Sequence, residues 1–323
     1  MCCQSLAALS ASLAPHRQAW RLEHTREKNE TAHAGTCAGV LRFSGPWKSV
    51  HKYHFITGLP RAGSTLLSAL LLQNPRLHAG MTSPVGGLVS ANLRLMSAGG
   101  ELSLLIDAPL RKKILRGLFD AFYGDIDREV IFDTNRLWCA KMPMVADMFP
   151  QAKMIACVRD IPWIMDSIEN QLHRNPFENT KLFSNEAERL TIYSRMAALA
   201  RHDRLIGFPW AALKEAYYGP HASNLLLVDY DLLVRAPQRV LELVYRFIGE
   251  PWFEGHDFDN VEYNAPQFDE ALGMAGMHQV HRKVAPRDRQ TLLPPDIVEK
   301  YQGMAFWRTD TRSAASVIKP TTH

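Results

Sequence analysis

Residues 53–75, YHFITGLPRAGSTLLSALLLQNP, constrain this chain more than any other stretch. Residues 53–57 are aromatic or β-branched around one histidine, the composition of a strand. Gly58, Pro60 and Gly63 then punctuate a tight turn. From Ser64 onward the chain reads as an apolar helix that stops at Asn74-Pro75. A strand, a glycine-rich turn and a helix in that order aim backbone N–H groups and a helix N-terminus at one point, and such a point attracts an anion.

The spacing matches the nucleotide-triphosphatase loop GxxxxGK[ST], but the residues do not. Ser64 stands where the lysine belongs, and the basic residue is Arg61, inside the loop. The loop therefore suits a phosphate or phosphosulfate held by N–H groups, hydroxyls and one arginine better than it suits γ-phosphate hydrolysis.

The rest of the chain alternates short apolar strands with amphipathic helices, the pattern of an α/β fold. Val130-Ile131-Phe132, residues 153–158 (KMIACV) and residues 225–229 (LLLVD) read as three further strands, continuous enough to be covered on both faces. Polar residues follow them: Asp133 to Arg136 after the first, Arg159-Asp160 after the second, Tyr230-Asp231 after the third. In an open sheet those ends face the ligand. The return after the first helix brings Thr82-Ser83-Pro84 to the same edge. Arg159, with Ser167 on the helix that follows, forms a second candidate anion site, and an ion pair between Arg159 and Asp160 is the plainer alternative. Gln238 to Trp252 reads as an amphipathic helix capped by Gly249.

Composition excludes several classes. The net charge of +4 is spread along 323 residues, so nucleic acid is not expected as a partner. Five cysteines without CxxC or Cys/His metal spacing argue for a reducing, cytoplasmic setting and against structural zinc. His256, Asp257 and Asp259 match no metal template, and no metal is expected. No run of about 18 apolar residues exists, so no membrane span is expected. Residues 1–50 are expected to be a poorly ordered extension, with an organelle transit segment as the alternative; 51–308 form the main domain and 309–323 a frayed tail.

Three segments in order, PRAGSTLL at 60–67, ACVRDIPWIMDSI at 156–168 and LLLVDYDLLVRAPQRVLELVYRFIGEP at 225–251, resemble the sulfotransferases that use 3'-phosphoadenosine 5'-phosphosulfate (PAPS). The resemblance runs from about residue 50 to 308. It is nearest the bacterial and tyrosylprotein types, because Arg61 stands where cytosolic animal enzymes carry lysine. It implies a three-layer α/β sandwich with a mostly parallel central sheet and a P-loop-like phosphosulfate-binding loop. It also implies PAPS as donor, 3'-phosphoadenosine 5'-phosphate (PAP) as product, a small-molecule or peptide acceptor, and room for a homodimer. Gly58, Leu59, Pro60, Arg61, Ala62, Gly63, Ser64 and Thr65 then resemble the loop around the 5'-phosphosulfate, and Arg159 with Ser167 the pair at the 3'-phosphate. Tyr193 would neighbour the adenine or 3'-phosphate, and Arg282-Lys283 would return late to cover the phosphates.

The chemistry that the resemblance implies is in-line transfer of a sulfuryl group to a hydroxyl or amine. Arg61 would stabilise charge growing on the bridging oxygen, and Arg136 would balance the transferred group. The base is open. The tyrosylprotein enzymes' glutamate would fall on or beside Met81-Thr82, where no carboxylate exists, which counts against protein-tyrosine specificity. Asp133 is the replacement candidate, with a turn-capping role before Asn135 equally available to it; His78 and His281 are further options. A small-molecule kinase with a degenerate loop, or a non-catalytic nucleotide-binding module on the same fold, are the competing readings.

Overall fold

A computed structural model of the chain describes residues 51–97, 99–288, 290–309 and 312–320. The apolar run at 53–57 forms β1 (Lys52–Gly58), and the run after the turn forms α1 (Ser64–Leu72). Then come β2 (Leu77–Ala79), α2 (Val85–Met96), α3 (Ala108–Tyr123), β3 (Val130–Thr134), α4 (Met142–Met148) and β4 (Met154–Val158). Four helices, α5 (Ile161–Arg174), α6 (Glu186–Arg189), α7 (Ile192–Ala200) and α8 (Gly207–Tyr218), lead to β5 (Leu225–Asp229). The chain closes with α9 (Tyr230–Arg235), α10 (Pro237–Ile248), α11 (Pro266–Ala271), α12 (Pro295–Tyr301), α13 (Phe306–Thr309) and β6 (Ser316–Val317).

The strands make one six-stranded sheet in the order β2-β3-β1-β4-β5-β6, and every pairing is parallel. All five residues of each of β3, β4 and β5 are buried, as parallel strands covered on both faces must be. The alternation along β1 divides those faces. Tyr53 and Phe55 meet Phe119 of α3, with Trp138 and Phe149 completing an aromatic cluster whose ring centroids lie 5.0–5.9 Å apart. Burying each such ring contributes about 1.5–3 kcal/mol. On the opposite face Lys52 reaches the Ile248 carbonyl at the end of α10, and Asn74 after α1 donates to Tyr245 of α10 at 3.0 Å. The chain is thus a three-layer α/β sandwich.

The two edge strands, β2 and β6, are not legible in the sequence: three and two residues are too few to show a period. β6 also changes the picture of the C-terminus. Residues 316–317, expected in a frayed tail, pair with Leu226 and Leu227 of β5. Just before them Arg308 binds Asp160 (2.8 Å) and Asp229 (2.9 Å), the residues that follow β4 and end β5. Asp160 is therefore tied to Arg308. Among the described residues no helix is long and apolar enough to cross a membrane, and no group of three or more His, Cys, Asp or Glu is placed to hold a metal. The expected extension over residues 1–50 lies outside the described residues.

Candidate functional site

The sheet order decides where a site can form. From β1 the chain crosses toward the β2 edge, and from β4 it moves the other way, so the topological switch falls between these two neighbours. Ligands bind beyond the C-terminal strand ends at such a point. The register makes this concrete. Gly58 of β1 is level with Cys157 of β4, and Ile56 of β1 with Thr134 of β3. Arg61, Arg136 and Arg159 therefore leave three adjacent strands at one edge.

The loop between β1 and α1 is bent by three residues of positive φ: Gly58 (109°), Arg61 (56°) and Gly63 (91°). Gly58 is required because a Cβ there would overlap the Cys157 backbone, where Leu59 N–H donates to the Cys157 carbonyl at 2.9 Å. Gly63 lies so close to Tyr230 that a Cβ would meet its ring at 2.8 Å. Arg61 has no such excuse, and a non-glycine residue held at positive φ is a strain that surrounding structure must enforce. Two side-chain bonds enforce it. Arg61 Nε donates to Ser167 Oγ on α5 at 3.1 Å, and Nη1 donates to the Met277 carbonyl. At the start of α1 no side chain caps the first turn and no acidic residue sits in it, so its N–H groups are open to an anion.

These elements line a cleft of about 470 Å³. Arg61, Gly63, Ser64, Thr65, Arg136, Arg159, Ser167 and Lys283, all expected at the site, face it together. Gly58, Leu59, Pro60 and Ala62 lie beneath the loop, buried, and shape it without lining the cleft. Arg159 stacks on the Tyr230 ring with its guanidinium carbon 4.2 Å from the centroid. Arg136 is exposed to the cleft yet crowded by protein on its other sides; that desolvation lowers its pKa, and a guanidinium remains charged regardless.

Three expected residues are placed elsewhere. Asp133 is fully buried, and its carboxylate accepts from Ser83 Oγ (2.6 Å), Tyr123 Oη (2.8 Å) and Trp138 Nε1 (2.7 Å). Burial pushes its pKa up, and the three donors only partly offset this. Its role is to tie β3 to the 83–85 turn and to α3, and it does not face the cleft. The turn itself is where the sequence put it, since Ser83 N–H donates to the Thr134 carbonyl at 3.1 Å. Tyr193 is exposed and donates to Asp296 of α12 at 3.2 Å, outside the cleft lining. Arg282 lines a separate shallow groove with Tyr263 and Asn264, while its neighbour Lys283 lines the cleft and pairs with Asp259 at 2.8 Å.

Several residues of the cleft were missed. Arg174, Arg235 and Arg287 bring the lysines and arginines lining it to seven among the described residues, against Asp231 and Asp288. Arg174 ends α5 and Arg235 ends α9, positions that sequence reading assigns to helix-dipole compensation. On the far wall, residues 258–288, the sequence pointed to Arg282-Lys283, but not to how the segment is held or what else it brings to the cleft. Its two limbs are tied by backbone bonds Val261→Arg282 (2.7 Å), Val280→Tyr263 (3.2 Å) and Val284→Phe258 (2.8 Å). Tyr263 Oη accepts from Met81 N–H at 2.9 Å, and Asp166 accepts from Leu292 N–H at 2.8 Å. On this wall His278 lines the cleft, with its Nδ1 2.5 Å from an Asp269 carboxylate that is fully buried. Desolvation lowers the His278 pKa, Asp269 raises it, and Arg61 and Arg136 lower it. The two expected alternatives are less suited. His78 is a β2 residue edge-on to Tyr123, outside the cleft lining, and His281 receives Arg287 at its Nε2 (2.9 Å).

Such an arrangement can hold a polyanion with two charged ends. The β1–α1 loop offers N–H groups, two hydroxyls and Arg61 at one end. Arg159 and Ser167 lie across the switch point.

A sequence profile of the Sulfotransferase family matches residues 54–254. The protein-tyrosine sulfotransferase 1 of Danio rerio is 27% identical over 206 aligned positions, with 61% of this chain and 53% of that protein covered, so the chain spans about half the length of this curated relative. Among solved structures, a sulfotransferase from Alicyclobacillus acidocaldarius is 17% identical, with 69% of this chain and 89% of that one covered at a TM-score of 0.45. A mouse sulfotransferase, SULT7A1, complexed with PAP is 15% identical, with 81% and 85% covered at a TM-score of 0.45. The profile extends over more than half of the chain and takes in the β1–α1 loop, β4 and α5, and on that ground the chain belongs to the Sulfotransferase family.

Proposed function

We propose that the chain transfers a sulfuryl group from PAPS to a hydroxyl acceptor. One observation carries this reading: Arg61 and Arg159, 98 positions apart in sequence, meet on one cleft at the sheet's switch point, with Ser167 bonded to Arg61. PAPS carries a phosphosulfate and a separate 3'-phosphate, and the donor set matches that pair of charges. The loop N–H groups and Arg61 hold the phosphosulfate end, while Arg159, Ser167 and Arg174 receive the 3'-phosphate. Because the 3'-phosphate does not react, its binding energy goes into alignment of the donor. Arg61 and Arg136 then face the charge that develops as the sulfuryl group leaves. A guanidinium and fixed N–H dipoles supply that stabilisation through the chain's own residues. The acceptor enters from the side of Met81 and the 276–280 segment, where Met277 and Val280 favour an apolar or aromatic alcohol.

The test is direct. Calorimetry should show PAP binding that weakens as salt is raised, because several charge pairs form. Labelled PAPS incubated with the chain and an extract or alcohol panel should label an acceptor identifiable by mass. Tight PAP binding with no labelled product from any acceptor would instead indicate a nucleotide-binding module.

A further inference from the structure

His278 and Asp269 are nine residues apart in a segment with little regular structure, yet their geometry is closely specified. Asp269, on α11, is fully buried. One of its oxygens accepts the His278 backbone N–H at 2.9 Å and the other faces His278 Nδ1 at 2.5 Å. A carboxylate with both oxygens committed this way orients the ring and keeps the proton on Nδ1. Nε2 is then the unprotonated nitrogen, and His278 belongs to the cleft lining. The ring packs edge-on to Phe268 at 5.4 Å. Met277, the preceding residue, accepts from Arg61, so the dyad is anchored to the loop that holds the leaving phosphosulfate in the reading above.

We propose that His278 is the general base that takes the acceptor's proton, and that Asp269 is the residue that positions it. This rests on the donor reading given above. In the step, the acceptor oxygen forms its bond to sulfur as its O–H proton passes to His278 Nε2. The bond from sulfur to the bridging oxygen breaks, and its electron pair stays on the 5'-phosphate of PAP. The imidazolium so formed faces Asp269 and later releases its proton to solvent. The charged groups facing His278 are Asp269 from α11, Arg61 from the first loop and Arg136 from the turn after β3. Desolvation, with a smaller push from the two arginines, outweighs Asp269 and holds the ring below its ordinary value, so it is neutral and ready to accept a proton at neutral pH. Asp231, a half-buried acid of the cleft lining, is disfavoured by place. Its charged neighbours are Asp229, Arg159, Arg308 and Asp160, at the 3'-phosphate end.

The experiment uses the full chain, labelled PAPS, and alcohols running from 4-nitrophenol to cyclohexylmethanol, with PAP binding measured in parallel. His278→Ala should lower kcat by about 10²–10⁴-fold while PAP affinity stays within about threefold. His278→Gln, whose amide still donates to Asp269, guards against a merely collapsed wall and should show the same loss. The loss should be smallest for 4-nitrophenol, whose proton leaves most readily. Wild-type kcat/KM should fall on the acid side with the imidazole's protonation, and that limb should vanish in His278→Ala. Asp269→Asn should lower kcat and move the limb to lower pH, since Asp269 raises the pKa of the ring it faces. Wild-type rates and an intact acid limb in both His278 variants would overturn the base and leave the donor reading standing. A wild-type chain that neither binds PAP nor turns over PAPS would overturn both.

Discussion

The two walls of the cleft are built by different means. The inner wall is the C-terminal edge of the sheet, where β1, β3 and β4 end at Gly58, Thr134 and Val158 and release Arg61, Arg136 and Arg159. Backbone ladders and a buried core hold it. The outer wall, residues 258–288, contains one short helix and is joined to the rest by single contacts such as Arg61 to Met277, Met81 to Tyr263 and Thr180 to Leu272. Strand ends cannot shift without breaking many bonds at once, so they suit the fixed charges that the proposed transfer needs. A wall held by a few such bonds can open at low cost, which suits the face through which an acceptor enters in the proposed reaction.

Acid should separate the walls most sharply, because each contains a histidine of depressed pKa. His54 on β1 is fully buried, accepts from Lys153 N–H at 3.0 Å, and has its pKa lowered to about 3, chiefly by desolvation. The unfolded chain protonates this residue near 6.5 and the folded chain does not, so stability is full above that pH and is lost as pH falls from 6.5 toward 3. The loss from this one group approaches roughly 5 kcal/mol at the bottom of that window. Denaturant melts across the window should show the slope, and His54→Asn, which keeps an acceptor for Lys153, should flatten it.

The next largest effects concern the arginines. Arg61→Ala should reduce transfer by about 10²–10³-fold while PAP binding weakens far less. Arg159→Ala should weaken PAP binding by about 10–100-fold and leave the rate at saturating donor close to wild type. Single-turnover and binding measurements would separate the two, and matching profiles for both variants would dissolve the division of labour within the inner wall.

The same substitution placed in each wall gives the finest comparison. Gly58→Ala must displace the β4 backbone and should cost about 3 kcal/mol or more. Gly276→Ala on the outer wall meets only Gln279 Oε1 at 3.9 Å, so its cost is the positive φ (76°) alone, about 1–2 kcal/mol. Equal shifts in Tm would mean that the outer wall is as tightly held as the sheet edge.

The inner wall was readable because its causes are local. Glycine at a tight turn, an arginine after an apolar strand and a serine eight residues along a helix each leave a mark within a short window. Asp133 misled for a related reason. A polar residue at a strand end is expected to face the ligand, but the side chains of Ser83, Tyr123 and Trp138 converge on this one from three elements, and only the folded chain brings them there. Tyr193 and Arg282 failed likewise, since a helix position or a basic doublet does not say which way a side chain is carried.

By itself, then, the sequence determined the α/β alternation, the glycine-bent turn after β1 and the place of Arg61 and Arg159 at one sheet edge, because period and turn chemistry act over a few residues. Tertiary structure decided the sheet order, the edge strands β2 and β6, the burial of Asp133 and the pairing of Asp269 with His278. Those depend on which distant surfaces exclude water together. Desolvation is a property of the assembled neighbourhood, and no window of residues contains it.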